Sequence, residues 1–304
     1  MIFSKCALII GVCGILSAQT ISYTYDAAGR LNSATYPNGN VIQYTYDQGG
    51  NLLRRLVIAP VAGPTPTSSA AGVVNAASEL GGPVAPGEIV AIYGNGIGPA
   101  ALSNFQISPT YFFESYTGST TIAFDGIPAP LIYASGGQTA AIVPYSVAGQ
   151  TSTQMVITYQ GRASAPVTVP VAASAPGLFS ANASGTGNGA IDNADGTVNS
   201  PANPAKRGSI IVLYGSGEGQ TNPPGVDGRI ALSVYPKPVL PVKVSIGGVD
   251  ATSGILYAGS APTLVAGVFQ INVTVPTNVP AGAVPVVVTI GQASSQPGLT
   301  VSLQ

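Results

Sequence analysis

Several residue groups have types and spacings that could do chemistry. Asp192-Asn193-Ala194-Asp195-Gly196-Thr197-Val198-Asn199 sets oxygen-bearing side chains at alternating positions around a glycine turn, the raw material of a calcium loop. Asp192 and Asp195 are the metal-ligand candidates. The stretch lacks a glutamate at the twelfth position, and an Asx turn in a β-hairpin explains Asp-Gly-Thr without an ion. Glu218 and Asp227 share the long loop 215–229, and they are the pair best placed for glycoside hydrolysis, which needs two carboxyl groups about 5 to 10 Å apart. Loop acids are ordinarily solvated, and nothing in the sequence marks either one otherwise. Gly94-x-Gly96-x-Gly98 and Gly215-x-Gly217-x-Gly219 could bring backbone amides to a phosphate. A dinucleotide site needs a helix after the glycines, yet Pro99 follows the first and Thr221-Asn222-Pro223-Pro224 the second. A turn leaving a strand is the better reading. Tyr111, Phe112, Phe113 and Tyr116 form the densest aromatic cluster, a contact patch if exposed and a core-covering loop if not.

The residues that are missing exclude more. The 304 residues contain no histidine and no tryptophan, so Ser-His-Asp and Cys-His catalysis, His-zinc sites and imidazole proton shuttles are unavailable. Both cysteines, Cys6 and Cys13, fall in residues 1–18, where Lys5, an apolar run from Ala7 to Leu16 and small residues Ser17 and Ala18 read as a signal peptide. That run is half the length of a bilayer-spanning helix, which needs about 20 residues. No later segment is longer without interruption, so the mature chain is expected to be secreted, with no transmembrane helix and no thiol. Val12 is bulkier than the residue expected before an acylated cysteine, which argues against Cys13 as a lipid anchor. Charged residues are only 7%, against roughly 25% in an average protein. No cluster exceeds the pairs Arg54-Arg55 and Lys206-Arg207, so nucleic acid is excluded as a partner.

The elements that must position these residues come as repeats. Tyr23-Thr24-Tyr25-Asp26-Ala27-Ala28-Gly29-Arg30-Leu31 returns at Tyr44-Thr45-Tyr46-Asp47-Gln48-Gly49-Gly50-Asn51-Leu52. Alternating Tyr-Thr-Tyr makes a strand, Asp opens a turn by bonding its own backbone, and Gly takes the positive φ the turn needs. Residues 21–58 are therefore expected to form hairpins. The match of Tyr25-Asp26, Gly29 and Leu31 with their second copies closely resembles the YD repeat of Rhs-type secreted and surface proteins. That resemblance implies surfaces used for enclosure or carbohydrate contact, although two copies are fewer than the three or so that a repeat array needs. Residues 59–72, rich in Pro, Ser and Ala, read as a linker.

A longer repeat dominates the remainder. Gly87-Glu88-Ile89-Val90-Ala91-Ile92-Tyr93-Gly94-Asn95-Gly96 reappears at Gly208-Ser209-Ile210-Ile211-Val212-Leu213-Tyr214-Gly215-Ser216-Gly217, Leu131-Ile132-Tyr133-Ala134 at Ile255-Leu256-Tyr257-Ala258, and Gln138–Pro144 at Gln270–Pro276. Short β-branched runs separated by Gly, Pro, Asn and Ser suit a two-sheet sandwich, and no stretch shows helical periodicity with caps. The expected fold is all-β: two tandem Ig-like sandwiches, 73–174 and 175–304, after the YD hairpins. The Gly-Glu-Ile-Val-Ala-Ile-Tyr-Gly motif resembles IPT/TIG-like immunoglobulin folds. More closely, Val74-Asn75-Ala76-Ala77-Ser78, Ala175-Pro176-Gly177-Leu178-Phe179 and Asn199-Ser200-Pro201-Ala202-Asn203-Pro204 are similar to the Solibacter-type C-terminal domain of secreted acidobacterial proteins. That resemblance implies an extracellular location and supplies no catalytic residue.

The expected function is non-catalytic binding or adhesion outside the cell or at its surface, with a glycan or a protein as partner and no cofactor beyond the calcium candidate. A carbohydrate-binding module using the YD repeat and the sandwich loops is the alternative, and a structural stalk or secretion module is the third reading.

Overall fold

The computed structural model describes residues 21–26, 28–36, 40–47, 49–58 and 63–304. The signal-peptide reading and both cysteines lie outside the described residues. The chain divides into two compact units, Met1–Ala62 and Gly63–Gln304.

In the first unit, β1 (Ser22–Tyr25), β2 (Leu31–Thr35), β3 (Val41–Tyr46) and β4 (Leu52–Ile58) form one antiparallel sheet in chain order. The repeat shows in its irregularities: the register slips at Thr24/Tyr25 and again at Thr45/Tyr46, where each Tyr-Thr-Tyr strand meets its Asp turn. Asp26 Oδ1 accepts from the Ala28 and Arg30 amides, each at 2.9 Å, and its Oδ2 accepts from Arg30 Nε at 2.7 Å. Asp47 receives the Asn51 amide and side chain in the same way. Arg30 joins the copies, donating from Nη1 to the Asp47 carbonyl and lying 5.0 Å from the Tyr46 ring centre. The hydrophobic core here is thin: Ala34 and Ile42, cross-strand partners, are buried, while Tyr23, Tyr25, Leu52, Leu53 and Val57 are exposed. A two-copy sheet therefore leans on its turns. The donors around Asp26 and Asp47, first among them the Arg30 amide and the Asn51 side chain, hold both carboxyls below the usual carboxylate range. Their help is present above that range and fades as pH falls through the folded values. Asp26→Ala is expected to speed hydrogen exchange at residues 28–30 while leaving exchange after Gly63 unchanged, measured by mass spectrometry.

The second unit holds two sandwiches. The first pairs a sheet of β5 (Thr67–Asn75), β6 (Ile89–Asn95), β7 (Ser103–Asn104), β10 (Leu131–Ala134) and β11 (Gln138–Ile142), ordered β5-β6-β11-β10-β7, with a second sheet. That second sheet contains β8 (Thr120–Phe124), β9 (Ile127–Pro128), β12 (Ser152–Tyr159), β13 (Arg162–Ala163) and β14 (Val167–Pro170). The second sandwich repeats the plan. Ile210–Ser216 takes the place of β6, Val268–Thr274 of β11, Ile255–Ser260 of β10, Val242–Ile246 of β8 and Gly282–Ile290 of β12. The copies agree in register: Gln138 pairs Tyr93 as Gln270 pairs Tyr214, and β10 bulges between Leu131 and Tyr133 as its counterpart does between Ile255 and Tyr257. A seryl hydroxyl even accepts from the equivalent strand amide in each, Ser164 from Ile157 and Ser295 from Val288.

Alternation along the strands builds each core. Val90, Ile92, Ile122, Phe124, Met155 and Ile157 fill the first, and Ile211, Leu213, Val244, Phe269, Ile271 and Val286 fill the second. Burying such side chains contributes about 1.5–3 kcal/mol each before chain entropy is set against it. β5 begins at Thr67, inside the stretch read as linker, because Thr67 and Ser68 find partners at Asn95 and Gly94 that local composition does not reveal. Among the described residues, helix is limited to two 3-10 turns, Tyr145–Val147 and Thr252–Gly254.

Candidate functional site

The glycine motifs are packing devices. Gly217 has φ +91° and lies against the Ala175 carbonyl, where any Cβ would collide, and the Ala175 amide donates to Gly217 O at 2.9 Å. The motif thus seats the segment that links the sandwiches, as expected for a strand exit rather than a phosphate loop.

Beside it the sandwiches meet in a sealed junction. Ile89 and Ile142 of the first pack with Val265 of the second, flanked by Phe113, Ile132 and Val268. The Ile89 amide donates to Ser216 Oγ (2.7 Å), Asn75 Nδ2 to the Ala175 carbonyl (3.0 Å), and the Tyr145 amide to Asp227 Oδ1 (2.8 Å). The loop carrying the aromatic cluster is drawn into this seam. The Phe113 amide donates to Gly228 O at 2.8 Å, the Ile230 amide to Tyr111 O at 3.0 Å, and Phe113 stacks on Phe105 with ring centres 4.4 Å apart. Tyr111 and Tyr116 remain exposed, whereas Phe112 and Phe113 are half-buried. The four do not form one open surface. Phe113→Ala is expected to lower the melting temperature of the second unit without altering its circular dichroism, because it empties the seam and leaves both cores intact.

Glu218 and Asp227 do approach the same group: both carboxyls raise the Tyr145 phenol, after the larger effect of its burial. Their settings differ. Glu218 is 1% exposed, and neither carboxyl oxygen has a hydrogen-bond partner among the described residues. Burial alone pushes it up to about 8. Asp227 is also raised by burial, opposed by the Tyr145 amide. Glu88 is equally buried and is pushed up to about 8, although the Ala85 amide donates to it at 2.6 Å. Perturbed carboxyls often mark catalytic sites, but a general acid must reach its substrate, and Glu218 is closed off from solvent.

Asp192 and Asp195 are used separately. Asp192 Oδ2 accepts from the Tyr214 hydroxyl at 3.1 Å, and Asp195 Oδ1 accepts from the Thr197 hydroxyl and amide at 2.6 and 3.0 Å, closing an Asx turn. Groups of three or more acidic residues suited to a metal are absent among the described residues. Millimolar calcium is expected to leave the melting temperature of the chelator-treated protein unchanged. A rise of several degrees that Asp195→Asn abolishes would show that the loop takes the ion.

An open groove walled by aromatic residues lies elsewhere, on the outer face of β6, β10 and β11. Strand alternation sends Val90 and Ile92 into the core and turns Ala91 and Tyr93 to the opposite face, with Gln138 and Ala140 of β11 beside them; the two alanines are buried there and Tyr93 is exposed. The result is a groove of about 520 Å³ with small residues on its floor and Tyr93, Tyr133 and Phe179 on its walls. Tyr93 is 42% exposed; its hydroxyl donates to Glu79 Oε2 at 3.1 Å and receives Gln138 Nε2 at 3.2 Å. Burial raises both Tyr93 and Tyr133, and Glu79 adds to each. The sequence reading did not single out this groove. The usable signal was the alanines at alternate positions on two paired strands beside Tyr93, but Glu79 and Phe179 arrive from loops whose course the pattern does not give.

The RHS Repeat family model matches residues 17–41 and 25–57, so the N-terminal segment carries an RHS repeat. No curated protein matches the chain. Among solved structures, a Bacteroides ovatus mixed-linkage glucan utilization locus protein, SGBP-B, in complex with a mixed-linkage heptasaccharide, is 12% identical over 92% of this chain, with a TM-score of 0.31. Domains 4–9 of the surface layer protein SbsC are 16% identical over 94% of it, with a TM-score of 0.25. The chain spans 57% and 46% of those two chains. No helix among the described residues is long and apolar enough to cross a membrane.

Proposed function

We propose that this chain is an extracellular, non-catalytic binding protein, secreted or held at the cell surface, whose tandem sandwiches resemble the Solibacter-type C-terminal domain. The observation that carries the reading is a division of labour: Glu218, pushed up by burial, is sealed at 1% exposure, while the aromatic groove is open. Reactive-looking groups without access suit a scaffold, and rigid aromatics around a shallow groove suit recognition. The absence of histidine from the whole chain and the confinement of cysteine to its first 13 residues support the same reading.

The test is retention of the purified chain on whole cells, peptidoglycan, insoluble polysaccharides and immobilised extracellular proteins. Saturable retention on at least one is expected. Failure on all of them would leave the structural-stalk reading, and hydrolytic turnover lost in Glu218→Gln would overturn the non-catalytic reading.

A further inference from the structure

We propose that the groove over β6, β10 and β11 binds a neutral saccharide chain, with Tyr93, Tyr133 and Phe179 as stacking walls and Glu79 and Gln138 as partners for hydroxyl groups. The proposal rests on the binding reading above and assigns it a ligand class and a place.

The shape comes first. Alanines at 76, 91 and 140 floor the groove, so its width is set by the aromatic walls, and the volume of about 520 Å³ is in the range of small-molecule sites. A sugar ring presents C–H faces that suit aromatic surfaces and an equatorial rim of hydroxyls that each donate and accept. The polar groups here match that rim. Tyr93 bridges Glu79 and Gln138 in one chain of hydrogen bonds, an arrangement that fixes an acceptor and an amide at set positions beside the rings. Glu79 is itself held at φ +57°, an unfavourable conformation for a non-glycine residue, with its amide bonded to Asn75 O at 2.8 Å.

The internal duplication supplies a control within the same molecule. Tyr214, Tyr257 and Gln270 occupy the corresponding strand positions in the second sandwich, and Asp192 there takes the Tyr214 hydroxyl as Glu79 takes that of Tyr93. In that copy the tyrosine hydroxyl and the glutamine amide have internal partners: Tyr257 donates to Ser260 O at 2.6 Å, and Gln270 Nε2 donates to Asn272 Oδ1 at 2.8 Å. In the first copy Ala140 stands at the position of Asn272, and the Tyr133 hydroxyl makes no hydrogen bond with the described residues. The Tyr133 hydroxyl is therefore left for a ligand beside the groove, where its counterpart Tyr257 is bonded to its own strand.

Other occupants fit less well. Lysine and arginine are absent from the lining and Glu79 is its one charge, so a polyanion is repelled. The strands beneath are paired on both sides, β6 with β5 and β11 and β11 with β6 and β10, so an extended peptide finds no free edge to add to.

The experiment is a depletion assay with the full chain on cellulose, xylan, mannan and starch, with alginate, peptidoglycan and whole cells beside them. Retention on at least one neutral polysaccharide and none on alginate is expected. Tyr133→Ala and Tyr93→Ala should each weaken retention at least tenfold, Gln138→Ala severalfold, and Tyr116→Ala not at all. Tyr133→Phe, which keeps the ring and removes the hydroxyl, serves with a severalfold loss if an alanine variant fails to fold. Undiminished retention of these groove variants would show that the sugar binds elsewhere and overturn the placement while binding stands. Retention only on cells, peptidoglycan or alginate would overturn the neutral-saccharide assignment, and no retention on any surface would remove the binding reading itself.

Discussion

Glu218→Gln is expected to raise the stability of the second unit by about 3 kcal/mol at pH 7 and to leave it nearly unchanged at pH 4.5. The expectation follows from a carboxyl that is 1% exposed, without a hydrogen-bond partner among the described residues, and pushed up from 4.5 to about 8 by burial. Between those values the folded chain holds a proton that the unfolded chain releases, so stability is full below the unfolded value and falls as pH rises toward 8. Each pH unit in that window costs about 1.4 kcal/mol, which accumulates to about 5 kcal/mol above pH 8. Gln keeps the shape of the protonated acid and cannot ionise, so the variant should show a flatter profile than the native chain. For a unit of this size the gain corresponds to a melting-temperature rise on the order of 10 °C at pH 7. Glu88, also pushed up to about 8, is subject to the same linkage, opposed by the Ala85 amide. Thermal melts across pH 4.5–9 provide the check, and parallel curves for native and variant chains would show that Glu218 is not buried as an acid.

Gly267→Ala is expected to have the largest destabilising effect at the junction, a loss of about 3 kcal/mol or more. Gly267 has φ +102°, and a Cβ there would meet the Gly87 carbonyl oxygen of the other sandwich. Backbone strain and overpacking against a main-chain atom each cost about 1–3 kcal/mol, and neither side can relax by a rotamer change. The collision lies between the sandwiches, next to the Ile89, Ile142 and Val265 cluster. Calorimetry is therefore expected to show one transition for the second unit of the native chain and two for the variant. A single transition at the native temperature would mean that the sandwiches are not coupled through this contact.

Much of the architecture was legible because it is written twice. The identical spacing of Gly87–Gly96 and Gly208–Gly217 carries the central strand of each sandwich, and Gln138 and Gln270 mark the strand paired with it. The Asp-Gly turns of the RHS segment were equally plain, because their hydrogen bonds are local. What could not be read was long-range. Glu218 looks like a solvated loop acid in the sequence, and only the fold reveals that the turn around Gly217 carries it into the junction. Phe112 and Phe113 belong to a cluster suggestive of a surface patch, yet the backbone bonds of their loop to Gly228 and Ile230 lie more than a hundred residues away in the chain. The groove combines residues 79, 93, 133, 138 and 179, and no local pattern joins them.

The most direct measurement of the account is a titration of the chain's tyrosine emission with soluble neutral oligosaccharides of cellulose, xylan and mannan type. With no tryptophan and fourteen tyrosines in the chain, the signal reports on tyrosines alone, the groove walls Tyr93 and Tyr133 among them. A saturable change with one of these sugars, absent in Tyr133→Ala and unaccompanied by cleavage of the sugar, is the predicted result. No change with any of them, or cleavage of the sugar during the titration, would contradict it.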